Sequence, residues 1–206
     1  MPGDMTKDSE PWNHEAMLSL LKGSPFPSLV VPGNHDVTKK GMKHKHWSLE
    51  QVVAAYQGRT GGYEGRLPYY AKEVLPGLVV IGLNSSDTPD GSLRSTWNGR
   101  FDAEQLQWLK RKLDAIGKKK LVLVQTHHCL IPHHPSDKEA SSSDWKNFHA
   151  DNGDEVTALM HRCGASIAIT GHHHINHISR HPSLPVTEIT TAGACSYPAN
   201  FRILDV

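Results

Sequence analysis

Three short stretches of this sequence end in side chains that could hold a metal ion. Val30-Val31-Pro32 runs into Gly33-Asn34-His35-Asp36, Val122-Leu123-Val124-Gln125-Thr126 runs into His127-His128, and Ile167-Ala168-Ile169-Thr170 runs into Gly171-His172-His173-His174. The chain carries 15 histidines. Neutral imidazole is the commonest metal ligand, so their placement matters more than their number. In an extended segment residues i and i+2 face the same way, which predicts that His172 and His174 share a site while His173 points out. By the same rule His127 and His128 diverge, and His127, directly after Thr126, is the expected ligand. Gly33 and Gly171 allow the sharp turn and close backbone approach such a site needs. Mixed imidazole, amide and carboxylate donors suit Mn, Fe or Zn better than Ca or an all-thiolate zinc site.

Elements must bring these stretches together. Short apolar, β-branched runs at 28–31, 78–83, 121–124 and 165–169 read as strands buried on both faces. Residues 186–190 and 201–204 read as an antiparallel pair. Helices alternate with them. Met17, Leu20 and Leu21 precede Gly23; Leu106, Leu109, Leu113 and Ile116 precede Gly117; Val156, Leu159, Met160 and Cys163 precede Gly164, the usual residue just past a helix. Asp102 is an N-cap with Gln105 as its capping-box partner, and 48–56 makes a further short helix. Residues 37–70 read as an excursion from the sheet and 132–152 as a long loop, a kind usually tied to function. Three ligand-rich turns at the carboxyl ends of sheet strands would then converge, as sites in open α/β sheets do.

Composition narrows the function. With 206 residues a single domain, 1–206, is expected. Lys plus Arg is 22 against 21 Asp plus Glu, for a net charge of +1. That removes the electrostatic case for bulk nucleic-acid or membrane binding. No apolar run approaches the ~20 residues of a membrane helix. The three cysteines, Cys129, Cys163 and Cys195, have no CxxC spacing; they read as apolar fillers in a reducing, cytoplasmic compartment. Lys39, Lys40, Lys43 and Lys45, interleaved with His44 and His46, read as a solvated basic face, Lys118 to Lys120 as a helix C-terminus, and His133 and His134 as loop residues.

Taken in order, Gly3-Asp4-Met5-Thr6-Lys7-Asp8, Gly33-Asn34-His35-Asp36, Thr126-His127 and Gly171-His172-His173-His174 resemble the GDxxD, GNHD and GHxH motifs of the calcineurin-like metallophosphoesterases. The branch they look most like is the cyclic-nucleotide phosphodiesterase type. The resemblance implies an α+β fold, a four-layer α/β/β/α sandwich of two mixed sheets flanked by helices. It implies a dinuclear site of divalent ions (Mn, Fe or Zn). Asp4 would bridge both ions, Asn34, His127 and His172 would complete one shell, and His174 would bind the other ion. Asn34 and His35 would contact substrate. His35 would serve as acid or charge stabiliser, with Asp36 orienting it. A metal-activated hydroxide would attack phosphorus in line. The implied substrate is a small phosphodiester, with cyclic nucleotides among the candidates; a phosphomonoesterase, a nuclease or a non-catalytic metal- or partner-binding relative is the alternative.

One departure stands out. The family pattern opens with Asp-x-His, and no aspartate here is followed two residues later by histidine. The sequence therefore predicts an N-terminally truncated domain lacking its first strand or strands. Its second ion would be held weakly or not at all, with His14, His44, His46 and His133 as possible substitutes. Its exposed N-terminal sheet edge could pair two copies.

Overall fold

The β-branched runs assemble into one mixed sheet in the computed structural model, which describes residues 1–37, 44–86, 99–133, 148–195 and 199–205. Among these residues the strands are β1 (Tyr70–Leu75), β2 (Leu78–Gly82), β3 (Leu121–Gln125), β4 (Ile167–Thr170), β5 (His177–Arg180) and β6 (Thr187–Thr190), in the order β1-β2-β3-β4-β6-β5. The central pairs β2–β3, β3–β4 and β4–β6 are parallel, while β1 and β5 close the edges antiparallel. The fold is α+β, with helices packed on the sheet.

Four helices are described: α1 (Pro11–Gly23), α2 (Leu49–Ala55), α3 (Ala103–Ile116) and α4 (Gly153–Arg162). Apolar periodicity located α1, α3 and α4, and the expected short helix over 48–56 is α2. Ser48 and Gln51 close the α2 capping box. In α3, Asp102 accepts from the Gln105 N–H at 2.7 Å, but the box does not close. The Gln105 side chain turns inward and exchanges two hydrogen bonds of 2.8 Å with the Asn84 backbone. Buried peptide groups at the end of β2 need partners, and Gln105 supplies them.

Two cores result. Val79 and Ile81 of β2, Val122 and Val124 of β3, Leu109 and Leu113 of α3 and Val156 and Met160 of α4 form the larger. Full burial of one such side chain contributes about 1.5–3 kcal/mol. The smaller core joins Leu18 of α1, Val52 and Val53 of α2, Val30, Val31, Tyr56 and Tyr63.

Three expectations change. Residues 28–31 are extended but form no ladder; the Val30 N–H donates to Gly61 O and the Val31 N–H to Met1 O. The partner of β6 is β5, not 201–204, because the short turn after Arg180 returns the chain at once; Phe201 and Ile203 are exposed. The described strands form one six-stranded sheet with β1 and β5 at its edges, where two sheets were expected. Lys39, Lys40, Lys43 and His134 lie outside the described residues, as does most of the 132–152 loop.

Candidate metal centre

Parallel pairing of β3 with β4 sets two of the ligand-bearing turns side by side. The Thr126 N–H donates to Ile169 O at 3.1 Å and the Gly171 N–H to His127 O at 3.0 Å. A third turn, 33–36, reaches the same place because the Pro2–Asp4 segment bridges to it. Gln125 of β3 donates from Nε2 to Met1 O at 2.8 Å and so anchors that segment.

Everything converges on the His127 ring. Its Nδ1 lies 2.6 Å from Pro2 O. A carbonyl only accepts, so Nδ1 carries the proton and Nε2 keeps its lone pair. Around Nε2 stand Asn34 Oδ1 at 2.9 Å, His172 Nδ1 at 3.0 Å and Asp4 Oδ2 at 3.4 Å. At most one proton, on His172 Nδ1, is available to four electron-pair donors. Asn34 and His127 are each 1% exposed, whereas the Asp4 side chain is 19% exposed. Burial lowers the pKa of His127, against the charge of Asp4, which keeps the imidazole neutral. A neutral imidazole fixed by a backbone acceptor and set among oxygen donors is a fitting receptor for a divalent cation.

The backbone here is strained in a telling way. Asp4, His172 and His174 have φ of 53°, 59° and 53°, the left-handed region that non-glycine residues seldom occupy. Such strain concentrates at functional sites. It also corrects the sequence argument: Gly171-His172-His173-His174 is a turn, not an extended segment. His173 still leaves the centre, stacking on His133 with ring centroids 4.8 Å apart. Gly3 is required by close approach, since a Cβ there would stand 2.6 Å from His127 Nδ1 and 2.7 Å from Gly33 Cα.

Of the expected ligands, Asp4, Asn34, His127 and His172 come together. His174 is exposed. His128 is buried, with Nδ1 2.8 Å from Ser85 Oγ, and its ring lies against His172 at 4.2 Å between centroids.

Asp36 does something other than expected. Its carboxylate accepts from the N–H groups of Gly33, Met5 and Thr6 at 3.0, 3.1 and 2.9 Å and from the Thr6 hydroxyl at 2.9 Å. It clasps the Asp4 turn to the Asn34 turn and does not orient the His35 ring. Burial, with Asp4 nearby, pushes its pKa up to about 6 against those hydrogen bonds. His35 is tied to Asp4 by its backbone, its N–H donating to Asp4 Oδ1 at 3.0 Å. The His35 ring donates from Nδ1 to Lys7 O, with Asp8 Oδ1 3.9 Å away.

Asp8 is thus a site residue to which the sequence reading gave no role, although it stands in the first motif. Of the proposed substitutes, His14 is a core residue and His44 and His46 bond backbone carbonyls near the surface. His133 belongs to a separate cluster with Cys129 and Glu188. Cys129 is buried among polar groups rather than as an apolar filler, and Cys195 is exposed.

The profile of the calcineurin-like phosphoesterases matches residues 1–176. No curated protein matches the chain. Solved structures do. A dimetal phosphatase from Danio rerio is 18% identical with a TM-score of 0.52, over 80% of this chain and 60% of that one. A phosphopantetheinyl hydrolase from Mycobacterium tuberculosis is 13% identical with a TM-score of 0.60, over 93% and 77%. A purple acid phosphatase from yellow lupin (Lupinus luteus) seeds is 13% identical with a TM-score of 0.53, over 86% and 33%. At these identities the likeness establishes the fold, and the chain spans well under the full length of the first and third.

Proposed function

The chain belongs to the calcineurin-like phosphoesterase family, hydrolases acting on phosphoester bonds, and from that premise we propose that it is a metal-dependent phosphodiesterase acting on a small phosphodiester. The observation that carries the reading is the set of donors within 3.4 Å of His127 Nε2. Asp4, Asn34, His127 and His172 would hold one divalent ion, and Asp4 with His174 would reach toward a second. When bound, such ions polarise phosphate oxygens and activate water at neutral pH.

The chain's own residues do the rest. Pro2 O fixes the tautomer of His127, so its lone pair faces the site. Asp36 holds the Asp4 turn against the Asn34 turn and sets the spacing of their oxygens. His35, with Nδ1 committed to Lys7 O, keeps Nε2 for a phosphate oxygen or the leaving alkoxide. Asp8 Oδ1 lies 3.9 Å from Nδ1 of the same ring, and Nε2 can donate only while the ring carries its second proton. The preference for a diester is supported by the likeness of the GNHD and GHxH stretches to the cyclic-nucleotide phosphodiesterase type. Three cysteines without a disulfide support a reducing, cytoplasmic setting.

The test compares kcat/KM for bis-p-nitrophenyl phosphate, p-nitrophenyl phosphate and single-stranded DNA in manganese. The diester should lead by roughly tenfold, about 1.4 kcal/mol of transition-state discrimination. A lead for the monoester would make the protein a phosphomonoesterase, and a lead for DNA a nuclease.

A further inference from the structure

Behind the Gly171–His174 turn lies a second group of donors with no part in the centre just described. Cys129 follows His127 by two residues but is 1% exposed and bonded away from the centre, its Sγ 3.6 Å from Thr170 Oγ1, 3.7 Å from Thr190 Oγ1 and 3.8 Å from Gly171 O. Glu188 of β6 is fully buried. Its Oε2 accepts from the N–H groups of Leu130 and Ile131 at 2.5 and 3.3 Å, which folds the segment after β3 over the end of β6. Its Oε1 is 3.1 Å from His133 Nε2, and among the described residues His133 is the only ion-pair partner it has.

The geometry of these atoms can be compared with a coordination sphere. Tetrahedral zinc with bonds of about 2.0–2.3 Å separates its ligand atoms by roughly 3.3–3.8 Å. Thr190 Oγ1 stands 3.2 Å from His133 Nε2, 3.5 Å from Glu188 Oε1 and 3.7 Å from Cys129 Sγ. The sulfur, ring nitrogen and carboxylate oxygen all lie within 4.8 Å of one another. Three potential ligands of different type therefore stand close together around a hydroxyl, which lies at separations near those a tetrahedral ion sets. Two peptide N–H groups account for Oε2, while Oε1 faces the His133 ring nitrogen, the Thr190 hydroxyl and, within 4.8 Å, the Cys129 sulfur, a buried grouping of potential ligand atoms beyond what the backbone needs.

We propose that Cys129, His133 and Glu188, with the Thr190 hydroxyl or a water as fourth ligand, form a structural site for a zinc-like divalent ion distinct from the Asp4–Asn34–His127–His172 centre. One thiolate, one imidazole and one carboxylate make a borderline-soft set that selects zinc over magnesium or calcium. On binding, the thiol proton leaves to solvent and Sγ donates its electron pair to the ion; no oxidant or reductant takes part. The ion would tie together the segment after β3 and the end of β6. His173, stacked on His133, would couple this tie to the turn that presents His172.

Cobalt titration of the metal-stripped full chain tests the site, since thiolate-bound cobalt absorbs in the near ultraviolet and imidazole- or oxygen-bound cobalt does not. The wild-type chain should develop that absorption. Cys129→Ser and His133→Gln should each lower it at least tenfold at equal cobalt, and His127→Ala should leave it in place. Circular dichroism establishes that each variant is folded; if Cys129→Ser does not fold, His133→Gln decides. A folded wild type without the band, or a band that persists in Cys129→Ser and so comes from Cys163 or Cys195, overturns the proposal. Loss of the band in His127→Ala overturns its independence from the first centre.

Discussion

His14 and His127 are both sealed from solvent, yet they sit in opposite environments. His14 stacks on Trp47 at 4.7 Å, nearly parallel, with hydroxyls on both ring nitrogens: Ser9 Oγ at 3.2 Å and Tyr56 Oη at 3.1 Å. Ser9 Oγ gives its one proton to the carbonyl of Asp36 or Trp47, at 2.9 and 3.0 Å, so it accepts from Nε2–H while the Tyr56 hydroxyl donates to Nδ1, and the ring is complete as it stands. Burial lowers its pKa to about 4, and it remains neutral. His127 has one nitrogen committed to a carbonyl and the other facing Asn34 Oδ1, His172 Nδ1 and Asp4 Oδ2. Burial is therefore no mark of a ligand. The mark is a neighbourhood of acceptors with too few protons among them.

The sharpest way to break the comparison is to remove each ring in turn. His127→Ala should lower manganese-dependent diester hydrolysis by roughly 10³-fold or more, about 4 kcal/mol, with little change in the urea midpoint. His14→Ala should do the reverse. A cavity and a stranded Tyr56 hydroxyl in the smaller core destabilise the fold by about 2–4 kcal/mol, while the hydrolysis of the folded fraction stays within a few-fold. Equal effects on activity would mean the two sites do not differ in kind.

A smaller effect is expected at Asp36, which holds the metal centre together without facing it. Asp36→Asn keeps the shape but places an amide donor among four N–H and O–H donors. It should weaken manganese binding by about 10- to 100-fold, as loss of a supporting hydrogen bond typically does, and excess manganese should largely restore turnover. A kcat that stays low at saturating manganese would instead place Asp36 on the His35 ring.

How much of this was legible in the sequence follows from distance along the chain. The convergence of Asn34, His127 and His172 was readable because each sits one or two residues past a strand-like run or turn glycine. The α2 cap was readable because Ser48 and Gln51 are three residues apart. What escaped depends on partners far away in sequence. Asp36 serves Met5 and Thr6, about 30 residues back, and nothing in Gly33-Asn34-His35-Asp36 tells that clasp from an imidazole contact. Gln105 looked like a local cap because its tertiary partner, Asn84, is 21 residues away. His177-Ile178-Ser179-Arg180 hid a strand, since an edge strand with one buried residue has little apolar signal.

The direct measurement is anomalous diffraction at the manganese absorption edge from crystals of the full chain grown with the ion. An anomalous peak about 2.0–2.3 Å from His127 Nε2, with Asn34 Oδ1, His172 Nδ1 and an Asp4 carboxylate oxygen in the same shell, is the predicted result. Manganese bound elsewhere while His127 Nε2 keeps only protein neighbours would contradict it.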